Sequence, residues 1–169
     1  MTTPPPSTRG SRGEEREVTS RPVSAEGLER DLPNLAGSGY RITSDPSAVP
    51  NCVAWVMGDL GHSWDPLLTG FRGVYYWPPG ARRDDSIEAW TETFELFGYQ
   101  QCGDANLELG QEKIAIYADT TGIPQHVAKQ LPSGAWTSKL GQEEDIEHPE
   151  LRAIGGGEYG VVVRVMRRP

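Results

Sequence analysis

The chain has 169 residues, 36% of them hydrophobic, and a formal net charge of −8. This length and composition fit one domain that can bury a core. The acidic balance argues against a nucleic-acid partner, because phosphates require a basic face. A protein or peptide partner that is cationic or neutral is expected instead, although its identity stays unknown.

The sequence also indicates where the protein resides. No stretch approaches the run of about 18 to 20 apolar residues that crosses a bilayer. The first ten residues lack the apolar segment of a secretion signal. We therefore expect a cytoplasmic protein with no membrane partner, which could still be exported by another route.

Two regions differ in composition. Residues 1–33 are rich in Pro, Ser, Thr, Arg and Glu and carry few bulky apolar side chains. Such a segment cannot bury enough surface to offset the entropy of ordering, so it is predicted to be a disordered tail. Residues 34–169 are predicted to form a single α+β domain.

Two helices are predicted in the first half of the domain. The first is a short buried helix that begins at Cys52, because Asn51 can cap its start and Gly58 can close its end. The second begins after Asp85 and Ser86 and ends before Gly98. Its apolar residues recur at helical spacing and should pack on the core: Ile87, Trp90, Phe94 and Phe97.

Strand-like alternation follows from residue 113. Residues 113–117, 126–131 and 135–140 are predicted to form three antiparallel strands, and residues 158–166 a last one. Gly134 can take the left-handed conformation that a three-residue hairpin loop needs. With Leu131 opposite Ala135, Ser138 falls diagonal to His126 on the same face.

Cys52 and His126 are the candidate reactive groups. A cysteine in the first turn of a helix has its thiolate stabilised by free backbone N–H groups, which lowers the thiol pKa. A histidine at the start of a strand can act as a general base if the fold brings it within hydrogen-bond reach of the thiol. Cys102 lacks such a setting and is expected in the core.

These residues resemble a known group of enzymes. Asn51-Cys52-Val53-Ala54-Trp55 on a helix, followed by a strand and then His126, is similar to the papain-like cell-wall cysteine peptidases of the NlpC and CHAP types. A closer resemblance is to a bacterial domain family of unknown function. It is carried by the string His126-x-Ala128-x-Gln130-Leu131-Pro132-x-Gly134-x-Trp136-x-Ser138-Lys139-Leu140-Gly141.

The resemblance implies a fold and a set of roles. The fold would be papain-like, with N-terminal helices packed on a small antiparallel sheet. Cys52 would be the nucleophile, His126 the base, and Ser138 would stand where the NlpC type has a His, Asn or Gln that orients the base. Glu147 and His148 are alternatives for this third position. If His148 does not fill the third position, we expect it to be a surface residue in an acidic loop.

Three functions are open at this point. The first is a thiol hydrolase that acts on an amide, peptide or isopeptide bond. The second is a noncatalytic interaction or structural domain, and the third is a delivered toxin or effector domain. We expect no cofactor and no metal, because the cysteines and histidines lack the short paired spacings of zinc sites.

Overall fold

A computed structural model describes residues 25–69 and 73–169. The helices in this part of the chain are α1 (Ala25–Asp31), α2 (Cys52–Val56) and α3 (Ile87–Leu96). The strands are β1 (Arg41–Ile42), β2 (Ser63–Trp64), β3 (Tyr75–Tyr76), β4 (Gln100–Cys102), β5 (Glu112–Ala118), β6 (Pro124–Gln130), β7 (Trp136–Lys139), β8 (Asp145–His148) and β9 (Val161–Arg168). Two 3-10 turns span Pro33–Leu35 and Leu151–Ile154.

The main sheet has seven strands in the order β1-β8-β7-β6-β5-β9-β4, and every neighbouring pair is antiparallel. β2 and β3 form a separate parallel pair. The predicted fold class is therefore wrong: the domain is β-rich, and it is not a papain-like arrangement of N-terminal helices on a small sheet. The three described helices are short, and the large sheet is the framework of the domain.

The error has a physical cause. Three of the seven strands lack the apolar alternation that signals a strand in sequence. Both residues of β1 are exposed, and β4 reads Gln-Gln-Cys. β8 reads Asp-Ile-Glu-His, and only its Ile146 and His148 are buried. Backbone pairing of β1 with β8, of β4 with β9 and of β8 with β7 fixes these segments as strands, and their own composition does not reveal it.

The sheet separates two hydrophobic clusters, because successive residues of a strand face opposite sides. One cluster joins α2 and α3 to Ile114, Ile116 and Val127. The other joins α1 and the two 3-10 turns to Ala115, Tyr117 and Ala128. β5 and β6 are thus buried on both faces and contribute residues to both hydrophobic clusters.

Both predicted helix starts are confirmed. The Asn51 side chain accepts a hydrogen bond from the Ala54 N–H at 3.1 Å, and Ser86 does the same for Ala89 at 3.1 Å. These caps satisfy N–H groups that the first turn leaves without intrahelical partners. α2 and α3 are too short to cross a membrane, and the described residues contain no longer apolar helix that could.

The β6–β7 hairpin is also confirmed. Gly134 has a φ of 90°, and the Leu131 N–H donates to the Ala135 carbonyl at 2.7 Å. Lys129 pairs with Thr137 and Gln130 with Trp136, which is the predicted register. The hairpin therefore places Ser138 on the face that carries Ala128 and His126.

The predicted boundary between the tail and the domain, at residues 33 and 34, lies within a folded segment. Residues 1–24 of the predicted tail lie outside the described residues. Residues 25–33, which were assigned to the tail, contain α1 and the start of the first 3-10 turn. Leu28 and Leu32 are buried against the sheet, so a few leucines suffice to dock this short helix.

Lys139 fastens the segment before α2 to the β7–β8 turn. Its buried Nζ donates to the carbonyls of Ser47 at 2.7 Å, Gly141 at 2.8 Å and Glu143 at 2.5 Å. These three bonds match the three donors of an ammonium group. The contact holds residues 47–50, and with them the start of α2, beside the sheet.

We predict that Lys139→Met destabilises the domain by about 2 to 3 kcal/mol, because three carbonyls lose a charged donor. Lys129→Met is the matched control: Lys129 makes a partly exposed ion pair with Glu112, and such pairs are worth under about 1 kcal/mol. Urea unfolding of both variants gives the comparison, and equal midpoints would contradict the role of Lys139.

Candidate functional site

Cys52 is the first residue of α2 and is 9% exposed. The preceding Asn51 holds it in place from two sides. Asn51 caps α2, and its side chain also accepts from the Trp64 N–H at 3.0 Å and donates to the Trp64 carbonyl at 2.8 Å. The start of α2 is therefore tied to β2.

His126 lies near the start of β6 and is 1% exposed. It pairs with Tyr117 of β5, and the two ring centroids are 5.8 Å apart. Its ring also stacks on Tyr159, with centroids 4.3 Å apart and an angle of 14° between planes. Two aromatic neighbours thus fix the plane of the imidazole.

Gly160 sets the position of Tyr159. Its φ is 72°, and an added Cβ would lie 1.9 Å from the Ala118 carbonyl oxygen. Only glycine allows this close approach of two backbones. The chain therefore turns into β9 with Tyr159 held over His126.

The sheet lies between the two candidate reactive groups. Cys52 packs in the cluster that contains Val127, whereas the cross-strand partner of His126 is Tyr117, in the opposite cluster. Within the described residues, no hydrogen bond joins Cys52 Sγ to the imidazole of His126. Both residues nevertheless line one cavity of about 300 Å³ at the start of β6.

Burial dominates the ionisation of the thiol. It raises the pKa of Cys52 to about 11, although the backbone N–H groups of Val127, Val53 and Cys52 itself act in the opposite direction. The expectation of a lowered thiol pKa is not met in this conformation, because the cost of burying the thiolate exceeds the help from the amides. Cys52 is a neutral thiol at pH 7.

His126 is affected in the complementary direction. Burial lowers its pKa to about 3, and repulsion from His148 adds to the effect. The imidazole is therefore neutral at pH 7, so it can accept a proton. No described hydrogen bond involves either ring nitrogen, and Nε2 is a buried atom without a partner.

Ser138 and His148, two predicted alternatives for the third position, contact each other. Ser138 Oγ lies 2.9 Å from His148 Nε2, and His148 Nδ1 lies 2.9 Å from the Glu150 carbonyl oxygen. The carbonyl requires the proton on Nδ1, so the serine hydroxyl donates to Nε2. The prediction that His148 is a surface residue is wrong, since it is 0% exposed on β8.

The other predicted residues lie elsewhere. Glu147 binds Arg41 through an ion pair of 2.8 Å at the β1 edge. Cys102, expected in the core, is half-buried on the edge strand β4, and both cysteines are free. Across residues 25–69 and 73–169, no group of three or more His, Cys, Asp or Glu side chains is arranged to hold a metal ion.

Several residues of the cavity carry no signal in the sequence. Trp64, Asp65, Asp85, Trp90 and Tyr159 line it together with Cys52 and His126. In the sequence, Asp85 indicates only the start of a helix, and Tyr159 lies in a glycine-rich turn. Their approach to Cys52 depends on tertiary packing, which local patterns do not encode.

A family comparison places the chain. The model of a family described as "Domain of unknown function (DUF7689)" matches residues 41–167. The chain belongs to this family. The prediction of a domain family of unknown function is confirmed at that level, and the match to DUF7689 gives no relationship to the NlpC or CHAP peptidases. The matched range contains both Cys52 and His126.

Other comparisons add no relative. Neither a curated protein nor a solved structure matches the chain. The function of this DUF7689 domain must therefore be argued from its own residues.

We predict that acid weakens the domain through its buried histidines. His126 has a pKa near 6.5 when unfolded and about 3 when folded, so the stability it permits is complete above about pH 6.5 and falls as the pH drops towards 3. For His126 alone, the free energy of unfolding should fall by about 2 kcal/mol between pH 7 and pH 5.

Chemical denaturation of wild type and His126→Gln at the two pH values measures this loss. The variant should lose less stability on acidification, whereas His62→Gln, at an exposed histidine, should behave as wild type. Equal losses in wild type and His126→Gln would contradict the assignment.

Proposed function

We propose that this domain is a thiol hydrolase that cleaves an amide or peptide bond, with Cys52 as nucleophile and His126 as general base and then general acid. One observation carries the proposal. Cys52, at a helix start, and His126, whose Nε2 has no hydrogen-bond partner, are distant in sequence but line the same cavity. Cavities with a few convergent polar groups are the usual setting for catalysis.

The first half-reaction follows from the neutral state of both groups. Cys52 Sγ attacks the carbonyl carbon while its proton passes to the imidazole of His126, so no free thiolate is needed beforehand. The oxygen of the tetrahedral intermediate takes up the negative charge. The N–H groups of Val53 and Val127 lie beside the sulfur and are suited to donate to that oxygen.

The second half-reaction restores the enzyme. The imidazolium returns its proton to the leaving amine, the C–N bond breaks, and a thioester to Cys52 remains. His126 then takes a proton from water, which attacks the thioester carbonyl. The C–S bond breaks, the acid product leaves, and the proton returns to Cys52.

The Ser138–His148 pair supports a positioning role. Both lie on the same face of the sheet as His126, and repulsion from His148 favours the neutral imidazole that accepts the proton. A positive His126 formed during the reaction would be stabilised by the Ser138 oxygen, whose lone pairs are not used in its bond to His148. Ser138 and His148 thus act through His126 in this proposal.

We predict that Cys52→Ala lowers turnover of amide and activated-ester reporters by at least about a thousandfold, and His126→Gln by about a hundredfold or more. Cys102→Ser is the matched control and should retain the wild-type rate. Intact mass spectrometry should find an acyl adduct in wild type. Full activity of Cys52→Ala, or an absence of both turnover and adduct in wild type, would overturn the proposal.

A second candidate function is a noncatalytic interaction domain in which the thiol and the imidazole are packing groups. Burial favours it, because both groups are held in their neutral forms. Proton transfer from a thiol of pKa about 11 to an imidazole of pKa about 3 is strongly uphill unless substrate changes the surroundings.

Alkylation of Cys52 across pH separates the two candidates. If His126 acts as a base, His126→Gln should slow alkylation near pH 7 in a Cys102→Ser background by about tenfold or more. If both groups are only packed, the rate should rise with a midpoint near pH 11 and be the same with and without His126.

A further inference from the structure

The cavity at Cys52 has an acidic wall. Asp65 and Asp85 line it, and its described lining residues include no Lys or Arg. Neither aspartate forms an ion pair within the described residues. Carboxylates at the entrance of a cavity attract cations and repel anions, and low-dielectric walls strengthen the effect.

The two carboxylates are available to a ligand. Asp65 accepts the Leu67 N–H at 2.8 Å and the Leu68 N–H at 3.1 Å, and both bonds use Oδ1. These bonds fix the loop and leave Oδ2 for another donor. Asp85 is exposed, just before α3, and the described hydrogen bonds do not involve it.

Aromatic rings complete the acidic wall. Trp64, Trp90 and Tyr159 line the same cavity. The faces of such rings attract ammonium and guanidinium groups within about 6 Å. Aromatic rings beside carboxylates thus form a surface that suits a cation with an apolar stem, as in lysine or arginine.

An independent feature also indicates a ligand in this cavity. His126 lines it at 1% exposure, and no described hydrogen bond satisfies its ring. A buried polar group without a partner is costly, and a ligand that supplies a hydrogen bond would remove this cost. The positive charge of Lys139 acts on Cys52, but its Nζ donates to three backbone carbonyls and Lys139 is not among the lining residues of the cavity.

We propose that this cavity binds a cationic side chain, so that the substrate carries a lysine or arginine beside the cleaved bond. The choice of substrate rests on the proposed hydrolase, whereas binding of the cation does not. A volume of about 300 Å³ suits one such side chain. Asp65 and Asp85 are then specificity residues, while the reaction itself belongs to Cys52 and His126.

Charge-selective labelling of Cys52 tests the proposal. Trimethylammonioethyl and sulfonatoethyl methanethiosulfonates have similar size and opposite charge, and each transfers its thioalkyl group to the thiol and releases methanesulfinate. The rate ratio of cationic to anionic reagent is measured in Cys102→Ser protein and divided by the ratio for a small thiol in solution. We expect a normalised ratio of about ten or more at low salt.

Substitution of Asp65 and Asp85 tests whether these carboxylates cause the charge selectivity of labelling. Asp65→Asn with Asp85→Asn should bring the normalised ratio close to one, and each asparagine keeps an oxygen in place. Glu88→Gln is the control, because Glu88 is an exposed acid on α3 that is not among the lining residues of the cavity. A wild-type ratio of one, or a high ratio that the double variant leaves unchanged, would overturn the proposal.

The labelling experiment tests cation binding independently of whether the domain is a hydrolase. Labelling needs no turnover, so charge selectivity can be present in a domain that proves inactive. Conversely, a domain that hydrolyses neutral amides with a normalised ratio of one would keep the proposed reaction and lose the cationic substrate.

Discussion

The alternation of side chains along β6 is the constraint on which the rest of the structure depends. Val127 faces α2 and Cys52, and its neighbours His126 and Ala128 face the opposite cluster. Because the sheet is covered on both faces, the thiol and the imidazole are each buried by a different half of the core. Both residues nevertheless line one cavity at the start of β6.

The sequence predicted the elements whose local chemistry is complete. The Asn51 and Ser86 caps, the Gly134 turn and the apolar alternation of residues 113–117 each specify their own conformation. The β6–β7 register followed from the turn. The fold class was wrong because β1, β4 and β8 depend on their neighbours for pairing, and polar segments such as Asp145–His148 give no strand signal.

The residues of the candidate site likewise fall into those that local sequence features predict and those that only tertiary packing brings together. Cys52 and His126 could be selected in sequence, since a helix start and a strand start are local features. The cavity walls could not, because Asp65, Asp85 and Tyr159 come from three separate loops. The third position shows the difference well: Ser138 and His148 were rival predictions, and pairing of β7 with β8 makes them partners.

Burial has opposite effects on structure and on reactivity in this domain. The packing that stabilises the clusters also moves the pKa of Cys52 up and the pKa of His126 down. The proposed reaction would therefore start from a neutral thiol and a neutral imidazole. In that proposal, the amides at the start of α2 and β6, the Ser138 oxygen and the bound substrate would stabilise the charge that develops.

The central claim is that Cys52 and His126 face one cavity although their side chains start on opposite faces of the sheet. Dibromoacetone, a short reagent with two electrophilic carbons, tests it directly in Cys102→Ser protein. Peptide mass spectrometry should find Cys52 and His126 joined by the three-carbon bridge. Complete modification of Cys52 with the second carbon hydrolysed, or attached to a residue other than His126, would contradict the claim.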